Sequence, residues 1–400
     1  MTETRKSTGW FITFAALFIN LILGILYSWS VIKKELVSDW GWSNTEASLP
    51  YIISVATFAL TMIFAGRAQD KYGPRPIALF GGMLLGGGLI ASSFAHTLPM
   101  MVFTFGIIGG MGIGFGYSAV TPCAIKWFDL KRKGLISGIV VSGVGLSPVY
   151  IAPITNALLK SHTIEETFLY LGIFSLVGIL SLSMFIKNPP AGYIPTAVSA
   201  KPSTTKANDF TWQQMVKTKT FWMLFVAFLM SGAAGLMLIA HLTSIAMVQA
   251  NWEAGFLLVV ILSVFNALGR VSGGILSDKV GRTNSMLIVF CLQAINMFLF
   301  TYYQSVPLLI TGSAIAGFAY GALFALFPAA TADFFGIRNL GVNYGLIFCG
   351  WGVAGIVGPL LGAFVADATG NYTISFIASA VMLIIGAAIV KFTKAPVRKA

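Results

Sequence analysis

Acidic residues are scarce in this sequence, and none falls in the middle of an apolar run. Asp and Glu together number 13 among 400 residues, against 25 Lys and Arg. Only 10% of the chain is charged, where a soluble domain carries about a quarter. A soluble fold of this length could not hide so much apolar surface. The missing mid-span acid also removes the group that would hold a cation. Cysteine is rare too. Cys123, Cys291 and Cys349 all lie in apolar stretches, so no disulfide framework is implied and each reads as a small buried hydrophobe. No stretch pairs a nucleophile with a base or clusters metal ligands, so neither an enzyme nor a metal or cofactor is expected.

What remains is apolar, at 57% of the chain. A spanning helix needs about 20 mostly apolar residues. Twelve stretches qualify, near 10–32, 44–66, 76–95, 99–122, 134–159, 165–187, 220–247, 253–276, 284–303, 306–330, 341–365 and 371–391. Backbone polar groups must be satisfied internally in lipid, so these are helices. The first stretch is long, is followed by Trp29 and Lys33-Lys34, and lacks a small-residue cleavage site. It reads as a retained span rather than a signal peptide. The fold class expected is an all-α membrane protein of twelve transmembrane helices. The Gly-rich run Gly109 to Gly116 lies inside a span with no preceding strand, so it reads as close helix packing and not as a nucleotide fingerprint.

The net charge of +12 does not point to nucleic acid, because its distribution is one-sided. With the N-terminus inside, every Lys and Arg falls on inner segments except Lys33, Lys34, Lys160 and Arg270. That is the positive-inside pattern. It predicts both termini in the cytoplasm and a multi-pass protein of the cell (inner) membrane. Lys33 and Lys34 are read as an outer loop.

The halves repeat. Gly66-x-x-x-Asp70-Lys71-x-Gly73 follows span 2, and Gly274-x-x-x-Asp278-Lys279-x-Gly281 follows span 8, 208 residues later. Pro122, Phe128 and Gly134 are echoed by Pro328, Phe334-Phe335 and Gly341 at nearly the same offset. The Pro-, Ser- and Lys-rich stretch between is a linker. The domains expected are a six-helix bundle over 1–187, a cytoplasmic linker over 188–219 and a second bundle over 220–400. In the repeated loops the glycines suit a tight turn, and Asp70 and Asp278 can pair with basic groups or cap a helix. Gly66, Asp70, Gly274 and Asp278 are therefore expected at a cytoplasmic gate. The motif pair resembles the hallmark of the major facilitator superfamily. That resemblance implies two pseudo-symmetric six-helix bundles around a cavity lined by spans 1, 4, 7 and 10.

One charge has no place in the loop count. Arg270 sits well inside span 8, where insertion costs at least about 2.5 kcal/mol and usually marks function. A snorkelling arginine is the plain alternative. Against it, the repeat offset maps Arg270 onto Met62, and Asn266 lies one turn earlier on the same face. A cavity holding one cation and no acid should bind an anion, and guanidinium grips a carboxylate in a two-pronged fork.

Asn266-Ala-Leu-Gly-Arg270 with Ser272 to Asp278 resembles span 8 of monocarboxylate transporters and bacterial oxalate/formate antiporters. Trp127-Phe128 with Lys131-Arg132-Lys133-Gly134, and Gly138 with Ser142-Gly143, are similar to their loop into span 5. Tyr27-Ser28-Trp29 and Asn343-Tyr344-Gly345 resemble the oxalate/formate branch. The resemblance implies that Arg270 anchors a substrate carboxylate, with Asn266, Tyr27, Tyr117, Tyr320, Phe324 and Phe348 around it. Two departures stand out. Trp351 occupies the place of the oxalate carrier's second cation. Asn266 and Tyr27 stand where animal-type carriers have an aspartate and a lysine. The function expected is secondary transport of a small monocarboxylate such as lactate or pyruvate by a monomer, with a proton as the second solute. His241, the only mid-span histidine, is read either as a helix-bridging hydrogen bond or as a proton relay. The rivals are an oxalate/formate-type exchanger and a membrane sensor that binds a carboxylate without moving it.

Overall fold

In a computed structural model the chain is described over residues 2–128, 133–190, 210–336 and 339–396. Twelve helices in it are long and apolar enough to cross a membrane. Spans 1 to 6 are Thr8–Ser38, Asn44–Gln69, Pro74–Ser92, Leu98–Ile125, Gly138–Ser161 and Ile164–Ser183. Spans 7 to 12 are Lys219–Ala250, Phe256–Val280, Arg282–Phe300, Val306–Phe335, Val342–Thr369 and Thr373–Phe392. The even count returns both ends of the chain to one face, called here the terminal end; the opposite face is the distal end.

Local chemistry sets the helix starts and stops. Span 2 begins in a capping box: Ser43 Oγ accepts from Glu46 N at 3.1 Å, and Glu46 accepts from Ser43 N at 2.9 Å. Thr163 and Glu166 do the same for span 6. Two of the few acids are thus helix caps. Between spans 2 and 3 the chain turns at Gly73, φ 86° and ψ 166°, and between spans 8 and 9 at Gly281, φ 90° and ψ 160°. The repeated motif is therefore a repeated backbone geometry that favours glycine. The turn-forming glycine is the last of the motif. Gly66 and Gly274 lie inside helices, and a Cβ added at Gly66 would meet open space.

Large side chains such as Phe11, Phe14, Phe18, Leu60, Phe64 and Ile384 are exposed on the outside. In a membrane they face lipid, so no water-driven penalty attaches to them. Inside the bundle, small residues bring helices together. A Cβ at Gly269 would lie 2.0 Å from Phe318 O, and one at Gly321 would lie 2.0 Å from Asn266 O. Spans 8 and 10 thus meet backbone to backbone. Across the halves, Gly355 on span 11 faces Val55 of span 2, and Gly145 on span 5 faces Asn266 and Arg270 of span 8.

Two spans are irregular where they meet. Span 1 winds into a 3-10 helix over Gly24–Ser28. Span 5 breaks between Leu146 and Pro148, as a helical proline requires. Gly24 packs directly on Ser147, so the two irregularities support each other and set the position of Tyr27.

Span 1 differs from the sequence reading. The helix continues to Ser38, and Lys33 is wholly buried and not in a loop. Of the linker, Phe210 is tied down: its N–H donates to Phe335 O at 2.9 Å, and its carbonyl accepts from Asn339 and Asn343. Residues 191–209 of the expected linker and Asp129 to Arg132 of the loop into span 5 lie outside the described residues.

Candidate functional site

Arg270 lies near the middle of span 8 and is only 7% exposed. Its Nε donates to Asn266 Oδ1 at 2.8 Å, and its Nη1 donates to Val141 O at 3.0 Å. The first contact is the expected one-turn pair. The second crosses to span 5 of the other half. Gly145, one turn on, leaves room for this approach: a Cβ there would meet Asn266 Oδ1 and Arg270 Nε. The flat face of the guanidinium lies over Phe324, 4.5 Å from the ring centroid. The Nη2 is buried and has no hydrogen-bond partner among the described residues. No described carboxylate pairs with Arg270. A buried cation with a free donor and no counter-ion is a half-built anion site.

Aromatic groups surround it. Phe324 packs edge-on against Tyr320 at 5.3 Å and lies 6.1 Å from Trp351 and 6.4 Å from Phe348. Phe58 of span 2 meets Phe348, Trp351 and Tyr117 at 6.2, 5.7 and 5.6 Å. Trp351 Nε1 donates to the Tyr320 hydroxyl at 2.8 Å. With its acceptor side taken, that hydroxyl has its own proton to give. The Tyr27 hydroxyl is 3.5 Å away across the interface between the halves. Tyr27, Tyr117 and Tyr344 are all in electrostatic reach of Arg270.

The seven residues expected around the anion therefore form one cluster: Arg270, Asn266, Tyr27, Tyr117, Tyr320, Phe324 and Phe348. Three contributors escaped the sequence reading. Phe58 and Val141 have no distinguishing signal, since one is a phenylalanine among 32 and the other acts through its backbone. Trp351 stood out only as the place of a lost cation; in the structure it donates to the Tyr320 hydroxyl.

His241 stands apart from this cluster. Its ring is buried near the distal end, with Nε2 2.9 Å from Pro359 O. That is the helix-bridging hydrogen bond of the plainer reading. Its Nδ1 contacts the Nζ of Lys33. Lys33 is a second buried basic side chain within the spans, contrary to the expectation that Arg270 stands alone. At the terminal end, Arg282 donates to Asp278 and to Asp333, each at 2.7 Å, and to Ser277 Oγ at 2.6 Å. Asp278 thus belongs to a latch tying the 8–9 turn to span 10 within one half. The side chain of Asp70 lies outside the described residues.

A bundle of twelve apolar helices with a charged, aromatic centre between two halves is the architecture of a multi-pass membrane carrier. The Major Facilitator Superfamily model matches residues 9–296 and 254–400, and the chain belongs to that superfamily. It is 29% identical over 400 residues to the oxalate:formate antiporter of Oxalobacter formigenes, covering 98% of this chain and 94% of that protein. It is 26% identical over 390 residues to monocarboxylate transporter 13 of Rattus norvegicus, covering 95% and 88%. In three dimensions it matches the inward-facing, unoccupied crystal structure of a bacterial homologue of the human lysosomal transporter Spinster. The TM-score is 0.74 at 17% identity, over 96% of this chain and 97% of that one. At that identity the match speaks for the fold alone.

Proposed function

We propose that this protein is a secondary transporter of small monocarboxylates of the lactate and pyruvate type, with the carboxylate held by Arg270. The observation that carries the reading is the unpartnered, buried Nη2 of Arg270. Nε and Nη1 are already engaged, so the guanidinium is held in one orientation with a donor to spare. Asn266 and Phe324 position it, and the Tyr27 and Tyr320 hydroxyls can bond a carboxylate or a 2-hydroxyl. The rings of Phe58, Phe348 and Trp351 suit a small apolar substituent. The relatives named for oxalate, formate and monocarboxylates support an anion of this size.

On this reading the bundles of 1–187 and 220–400, joined by the linker 188–219, rock about the site as a monomer, with both termini cytoplasmic. An anion neutralises Arg270 and lowers the cost of closing the site over a charge. A proton travels with it. The sensor alternative finds no specific support. The exchanger alternative is not favoured: one relative is an oxalate:formate antiporter, others are monocarboxylate transporters, and nothing in the site adds to it.

The deciding experiment is uptake into proteoliposomes across a panel of mono- and dicarboxylates, with and without an imposed pH gradient. Saturable lactate or pyruvate uptake driven by the gradient, and its loss in Arg270→Gln with the fold retained, is the expected result. Wild-type uptake in that variant would sink the proposal. Counterflow without any response to the gradient would establish exchange instead.

A further inference from the structure

Lys33 and His241 form a contact that the anion site does not use. Lys33 is on span 1 and His241 on span 7, so the contact joins the two halves near the distal end. Both side chains are wholly buried. A carbonyl can only accept, so the 2.9 Å contact to Pro359 O places the ring proton on His241 Nε2. Nδ1 then carries a lone pair, and the Lys33 Nζ donates to it. Among the described residues Lys33 forms no ion pair. The other groups facing the pair are Tyr372, the residue just before span 12, with its hydroxyl 3.4 Å from Nδ1, and Asp367 of span 11. Asp367 is occupied elsewhere, accepting from Asn44 N at 2.8 Å and Thr45 N at 2.9 Å. Beside the pair, Ser30 and Thr243 meet at 3.1 Å, again between spans 1 and 7.

We propose that protonation of His241 Nδ1 and closure of the distal end are mutually exclusive, so that acid on the distal side opens that end. A protonated ring would donate from both nitrogens and turn an N–H against the Lys33 ammonium. Two like charges at contact distance, away from water, repel strongly. Separation of spans 1 and 7 lets water reach both groups and lets His241 take a proton from the distal solution. Closure brings Lys33 back onto Nδ1 only after that proton has returned to the distal solution. The pH-dependent closure does not rest on the function proposed above.

Spin labels on Asp39→Cys and Glu253→Cys report the separation of spans 1 and 7, in a background with Cys123, Cys291 and Cys349 replaced by serine. The expected result is a longer distance at about pH 5 than at about pH 8 in the otherwise native chain. It should be invariant in His241→Gln, whose amide can still accept from Lys33 and donate to Pro359 O. Lys33→Met, which removes the ammonium, should be invariant as well. A native distance that ignores pH, or a His241→Gln protein that responds as the native one does, overturns the proposal. If the native protein moves no monocarboxylate, the substrate reading fails while the distance measurement still decides the pH-dependent closure.

Discussion

The guanidinium of Arg270 lies over the ring of Phe324 at 4.5 Å, joining the one buried cation of span 8 to an aromatic of span 10. The contact depends on how closely those helices approach. Gly269 and Gly321 permit it, because a Cβ at either would collide with the backbone of the other helix. The charge is therefore held by packing as much as by hydrogen bonds.

Replacing Phe324 with leucine keeps the volume apolar and removes the ring face. A cation–π contact contributes about 0.5–2 kcal/mol, so the apparent KM for a monocarboxylate should rise by about 2- to 30-fold. Radiolabelled uptake at graded substrate concentration reads this. Arg270→Lys keeps the charge but loses the planar fork, and should be far more damaging than its charge suggests.

Gly145 is a steric test of the same site from the other half. A Cβ there would stand 2.9 Å from Asn266 Oδ1 and 3.3 Å from Arg270 Nε. Gly145→Ala should raise KM about tenfold or more, since hydrogen bonds to charged groups contribute about 1.5–3 kcal/mol. Thermal unfolding in detergent should change little. A large loss of stability with normal KM would mean that the glycine serves packing only.

Trp351 donates to the Tyr320 hydroxyl at 2.8 Å. Trp351→Phe should keep the ring and lose that donor, weakening 2-hydroxy acids more than plain carboxylates. Trp351→Lys puts a second cation close to Arg270. It should let a dicarboxylate compete for lactate uptake where the native protein is indifferent to it.

Asp367 accepts from the first N–H groups of span 2, fastening the halves at the distal end through a helix N-terminus. Asp367→Asn should weaken this and favour the distally open state. Cysteine accessibility at Ser30→Cys, wholly buried between spans 1 and 7, measured with a membrane-impermeant reagent added from the distal side, should increase severalfold. Unchanged accessibility would show that the contact carries no part of the closure.

Gly321→Val should fail for a different reason. Its side chain would sit against Asn266 O and force spans 8 and 10 apart. The expected outcome is a lower Tm and poor recovery from the membrane, with any residual transport lost.

Some of this was legible because it is local. Helix length and apolar content are properties of consecutive residues, so all twelve spans could be placed from the sequence. The glycine turns at 73 and 281 follow from a repeated motif, although the motif alone did not tell which glycine makes the turn. Arg270 and Asn266 were legible for the same reason: a one-turn spacing puts them on one face, and lipid makes a mid-span charge expensive. The aromatics came from a resemblance rather than from their own pattern.

Lys33 was not legible, and the reason is physical. In sequence it stands with Lys34 just past an apolar run, which is how a loop begins. Its burial depends on His241, 208 residues away, and on a histidine nitrogen left free by Pro359 of a third helix. The sequence by itself determined a membrane-spanning bundle with a cation at its centre, since both are consequences of local hydropathy and spacing. Only the tertiary structure decided which groups face that cation, which proline carbonyl sets the histidine tautomer, and that a second basic side chain is buried, because those contacts join residues that no local pattern brings together.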